Sequence, residues 1–157
     1  MPLGLLQPGA TGFWSHKKAP LLEHDPKDCR RVAEAVAHAA GAAHWSVAPM
    51  PEDEPHETFR RFTVPVADGM LQCLTHRYLR ITALVPEDWN VWDPVFPEII
   101  CDADQVQREV GWTLATSYEL NAPLDSDTAA ALSKAELEMA KGWQAGSAGA
   151  ILFNAWD

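Results

Sequence analysis

The run Thr58–Val66, TFRRFTVPV, continuing through Ala67-Asp68-Gly69 into MLQCLTHRYLRITALV (70–85), decides the fold class of this chain. Phe62, Val64 and Val66 alternate with Arg61, Thr63 and Pro65, the two-residue period of a half-buried strand. Ala67-Asp68-Gly69 predicts a tight turn, because Asp-Gly accommodates positive φ. Residues 70–85 exceed the length of an ordinary strand, so we divide them near Thr75-His76-Arg77 into two. A helical reading through Leu71, Leu74, Thr75 and Tyr78 competes over 70–77. With HWSVA (44–48) in front, these segments make an antiparallel meander of about four strands.

Outward from the meander the pattern changes to helical. Asp25-Pro26-Lys27-Asp28 reads as a helix start, with Asp25 as N-cap and Pro26 in the first turn. Cys29, Val32, Ala33, Val36 and Ala40 share one face, Arg30, Glu34 and His38 the other, and Gly41 is a stop signal. Ser133-Lys134-Ala135-Glu136 has the spacing of a capping box and predicts a helix running to Lys141. Asp102 or Asp104 is placed to cap a helix holding Val106, Val110 and Leu114, although 104–120 is equally strand-like in composition. GAILFNAW (149–156) reads as a closing strand. Strands grouped centrally with helices at both ends predict α+β: a single compact domain, its meander plus a C-terminal strand packed against two or three helices. Residues 1–25 read as an irregular arm and 26–157 as the domain.

Composition fits a folded protein of this size, with 157 residues, 47% hydrophobic and 22% charged. No apolar run approaches the roughly eighteen residues of a membrane span. MPLGLLQPGATGFW has no basic start and is interrupted by Pro2 and Pro8, unlike a secretory signal. A cytoplasmic protein with no membrane contact is the expectation. Cys29, Cys73 and Cys101 are too few and too scattered for a disulfide framework or a zinc site and read as structural thiols.

Charge is distributed unevenly. Residues 1–80 hold nine Lys/Arg and nine Asp/Glu, whereas residues 81–157 hold three against thirteen, so 3 − 13 = −10 accounts for the whole net charge. Such a field repels nucleic acid and anionic lipid and attracts cationic partners. The same surplus also serves plain solubility.

Catalytic signatures are absent from the sequence. The six histidines form no HxH, HxxxH or HExxH unit, and no motif calls for a cofactor or metal. His24-Asp25 and Glu54-x-His56 are acid–imidazole neighbours within loops. GWQAGSAGA (142–150) lacks the Lys-Ser/Thr of a phosphate loop and the first glycine of a nucleophile elbow. Arg60-Arg61 and Arg77-x-x-Arg80 bracket the hairpin, with Glu52, Asp53, Glu54 and Glu57 as expected ion-pair partners.

The remaining oddity is Pro86–Glu98, PEDWNVWDPVFPE. Its three prolines rule out a helix and make a stiff exposed loop, with some of its aromatics anchored in the core. Any ring left outside, rimmed by carboxylate, makes a recognition surface. Glu87, Asp88, Asp93, Glu98, Asp102 and Asp104 would supply the field, with Trp89, Trp92 and Phe96 as anchors. The expected partner is a basic protein, in the manner of acidic inhibitor or immunity-type domains that neutralise nuclease toxins. The alternative is a small enzyme or binder of cationic ligands with a Trp/His-lined pocket.

Overall fold

In the computed structural model, which describes residues 5–12, 22–42, 47–50, 57–67 and 69–156, the run from Phe59 to Pro86 folds as three antiparallel strands. These are β2 (Phe59–Val66), β3 (Gly69–His76) and β4 (Ile81–Pro86), paired Phe59↔His76 through Val66↔Gly69 and Leu71↔Pro86 through Thr75↔Thr82. Gly69, at φ +139°, occupies the position after the turn where a side chain would be strained. The break between β3 and β4 falls at Arg77–Arg80, beside the expected division. His76 stabilises it, because Nδ1 accepts from the Tyr78 and Leu79 amides, 3.1 and 3.0 Å away.

Two short edges complete a five-stranded sheet in the order β1-β2-β3-β4-β5. The first, β1 (Ala48–Met50), is antiparallel to β2, with Pro49 where only an edge strand tolerates proline. Residues 44–46 of the expected first strand lie outside the described residues. At the other side β5 (Thr113–Leu114) runs parallel to β4.

Both faces of the sheet are covered. One face carries Phe62, Val64, Cys73 and Leu84 and packs against α1 (Pro26–Ala39) and α2 (Ala103–Val110). The sequence signals for α1 hold: Asp25 accepts from the Lys27 amide at 2.8 Å, and Gly41 follows the end at φ +77°. Asp102 caps α2 through the Gln105 amide, and left-handed Gly111 stops it at Val110. The ambiguous 104–120 region is therefore helix to Val110, strand at Thr113–Leu114 and helix again at Ser117–Leu120.

The other face carries Phe59, Leu74, Ile81, Ala83 and Val85. It is covered by Leu5, Leu6 and Ala10, by the 86–97 loop, and by α3 (Ser117–Leu120), α5 (Lys134–Gly142) and α6 (Ala148–Leu152). Between α3 and α5 lies the single turn α4 (Ser126–Ala129). The closing strand expected over 149–156 is not formed. Ser147 caps α6 through the Ala150 amide, and Gly149 lies so close to Phe96 that an added Cβ would sit 2.4 Å from its ring. The apolar composition that resembles a strand instead builds a buried helical turn leading to Phe153, Asn154 and Trp156.

Glu136 departs from the simple capping box. Ser133 Oγ accepts from its amide at 3.2 Å, but its carboxylate turns inward and is fully buried. There it accepts from Gly9 N, Thr11 N and Thr11 Oγ1 at 2.7–3.1 Å and from Ser133 Oγ at 3.2 Å. It thereby binds the N-terminal segment to α5. His76 Nε2 adds a second link, donating to Ala10 O at 2.9 Å. With both backbone donors on Nδ1, the proton must sit on Nε2.

Candidate functional site

The 86–98 loop is held firmly from behind. Gln72 Nε2 donates to Glu87 O at 2.6 Å, Asn121 Nδ2 donates to Phe96 O at 2.8 Å, and the Trp92 amide donates to Asn90 Oδ1 at 2.8 Å. Trp89 and Phe96 are 7% and 2% exposed and join a cluster with Phe59 and Phe153, ring centroids 5.5–6.3 Å apart. Two of the three rings expected as partner anchors, Trp89 and Phe96, are thus core residues that pin the loop. Trp92 faces outward at 51% exposure.

Beside Trp92 lies a tryptophan that the sequence did not single out. Trp143, which follows α5, is 41% exposed and lies 6.0 Å from Trp92 between ring centroids. Behind it, Trp156 stacks parallel at 6.2 Å and is buried. Three indoles therefore lead from the core to the surface. Gln144, next in sequence, takes φ +56°, a left-handed conformation unusual for a side-chain-bearing residue, in the turn that positions Trp143. Val95 and Ile100, further along the chain, are exposed by 62% and 92%.

All six predicted carboxylates are exposed, and the structure sorts them. Asp102 is committed to capping α2. Glu87, Asp88, Asp93, Glu98 and Asp104 make no side-chain hydrogen bond or ion pair among the described residues. Unpartnered carboxylates and exposed apolar side chains therefore share the stretch from Glu87 to Ile100.

No family model, curated protein or solved structure matches this chain.

The other candidates are accounted for. All three cysteines are free, and burial pushes the Cys73 thiol up to about 12 and that of Cys101 up to about 11, so neither is a nucleophile at neutral pH. Burial likewise lowers His76 to about 4, leaving it neutral. His38 Nδ1 meets Glu109 at 2.7 Å across α1 and α2. Among the described residues no cluster of His, Cys, Asp and Glu is arranged for a metal, and no helix is long and apolar enough to cross a membrane. His56 and Glu52–Glu54 lie outside the described residues. A cavity of about 470 Å³ holds both His24 and Trp112, but its charged lining is Arg31, Arg80 and Arg108 against Asp28 and Glu109, which does not suit a cationic ligand.

Proposed function

We propose that this protein binds a basic protein through the acidic-aromatic surface formed by Glu87, Asp88, Trp92, Asp93, Val95, Glu98, Ile100 and Trp143. The observation that carries this reading is the conjunction of exposed apolar side chains with carboxylates that have no internal partner, on a loop fixed from behind. Apolar anchors supply affinity, the surrounding field supplies encounter rate and selectivity, and a rigid loop loses little entropy on docking. A protein of this kind would act as an inhibitor, covering the cationic face with which its partner handles a polyanion. A nuclease or other basic toxin has such a face.

The test is reconstitution. Proteins captured from a lysate of the source organism at low and moderate salt would be purified and titrated against native and variant protein. We expect a basic partner whose affinity falls with salt and whose Kd rises about 30-fold with Trp92→Ala, the scale of a hot-spot side chain. Asp88→Lys with Asp93→Lys should slow association, with circular dichroism unchanged. If every captured protein binds the variants as tightly as native, the reading fails.

A further inference from the structure

Residues 97–102, PEIICD, join the acidic loop to α2 and belong to no helix or strand. The stretch is nevertheless held at both ends. Asn121 Nδ2 donates to Phe96 O at 2.8 Å, and the Asp102 amide donates to Ala39 O at 3.2 Å. Between this stretch and the turn from β5 into α3 opens a cavity of about 520 Å³. That volume lies within the roughly 300–1,000 Å³ usual for small-molecule sites. Leu84, Leu114 and Leu120 are buried and form its inner wall, whereas Ile100 and Tyr118 are 92% and 81% exposed and stand toward solvent.

The charge of this lining is one-sided. No Lys, Arg or His lines the cavity, and its one carboxylate, that of Glu98, has no hydrogen bond or ion pair among the described residues. Thr116 Oγ1 is occupied with Glu119 in the capping box of α3. The hydroxyls of Ser117 and Tyr118 have no hydrogen-bond partner among the described residues. All the lining residues fall within 84–120, every one of which is described. The cavity thus combines an apolar wall, an aromatic ring and a carboxylate without a counter-ion.

We infer that this cavity binds a small organic cation, an ammonium group on an apolar body. The ammonium meets the Glu98 carboxylate, with the Ser117 hydroxyl as a second acceptor and the Tyr118 ring as a cation–π face. The body lies against Leu84, Leu114 and Leu120. An anion would be repelled by Glu98 and by the acid surplus of residues 81–157. Glu98 and Ile100 belong also to the surface proposed above to bind a basic protein. The ligand inferred here is a free amine that needs no protein partner, so the two readings stand or fall separately.

Benzylamine, with benzyl alcohol as neutral control, would be titrated into the isolated protein and followed by 1H–15N spectra. We expect saturable shifts centred on Ile99, Cys101, Leu114, Ser117 and Tyr118 for the amine alone. Glu98→Gln should weaken binding by about tenfold and Tyr118→Leu by about threefold. Both side chains are exposed, so circular dichroism should be unchanged. Glu138→Gln removes the same charge from exposed α5, outside the cavity, and should change affinity by less than about twofold. Equal binding of benzyl alcohol, no saturation by the amine, or equal effects of Glu98→Gln and Glu138→Gln would overturn the inference. So would saturation by Nα-acetyl-lysine methylamide without saturation by benzylamine, since the cavity would then serve a lysine side chain of a protein partner.

Discussion

The two halves of this chain satisfy their carboxylates by different means. Among the described residues of 1–80, four meet cations (Glu57 with Arg61, Glu23 with Arg60 and Arg77, Glu34 with Arg30, and Asp28 with Arg31) and Asp25 caps α1. In residues 81–157 those with a partner mostly meet N–H and O–H donors instead, Glu109 beside His38 being the exception. Asp102, Glu119 and Asp125 cap helices, and Glu136 accepts from the backbone at residues 9 and 11. Helix N-termini carry partial positive charge, so acid placed there is stabilised without any counter-ion. The C-terminal half thus tolerates a large surplus of acid and still leaves Glu87, Asp88, Asp93, Glu98 and Asp104 uncommitted. Net charge alone does not distinguish acid used inside the fold from acid available to a partner.

The contrast can be broken most sharply at Glu57. Its side chain is fully buried against an Arg61 that is itself 2% exposed, and the guanidinium also lies 5.2 and 5.5 Å from the ring centroids of Phe59 and Trp89. Glu57→Gln removes the carboxylate from this buried pair and should destabilise the fold by about 3–5 kcal/mol, measured by urea unfolding.

His76 provides the next test. Its folded pKa of about 4 lies below the ordinary 6.5, so the unfolded chain takes up a proton that the folded chain refuses. Its contribution is complete above pH 6.5 and is lost as pH falls toward 4. The expected loss is about 3 kcal/mol, from a shift of roughly 2.5 units at 1.36 kcal/mol each. Unfolding measured between pH 7 and 4 should show this slope, and His76→Asn should flatten it.

The smallest effect separates committed from free acid. Asp102→Ala removes a helix cap and should cost about 1 kcal/mol, whereas Asp93→Asn should change stability by less than about 0.5 kcal/mol. Thermal unfolding of the two variants measures the difference. A comparable loss in Asp93→Asn would show that its carboxylate has a structural role.

Much of the fold was legible locally. Asp25-Pro26 and Gly41 bracket α1, Gly69 closes the β2–β3 hairpin, and Ser133 starts α5, each through one residue with a specific backbone role. GAILFNAW was not legible, because uniformly apolar composition fits a buried strand or a buried helical turn. The deciding contact, Gly149 against Phe96, lies 53 residues away in sequence (149 − 96). The candidate site was half legible for the same reason. Local pattern finds three rings in an acidic loop, but their sorting depends on Gln72, Asn121, Phe153 and Gly149. Trp143 carried only a weak signal: a large ring in a polar setting just past a helix end.

The Glu136 clasp has a consequence for biosynthesis. Its hydrogen bonds to Gly9 and Thr11 span 127 and 125 residues, so they cannot form until most of the chain has left the ribosome. The hairpin and α1 rest on nearby sequence, whereas the clasp is among the last links to close. Shortening the chain past residue 11 would remove the donors and strand a carboxylate in the core. Loss of residues 9–11 therefore acts at the point where two distant parts of the sequence are joined.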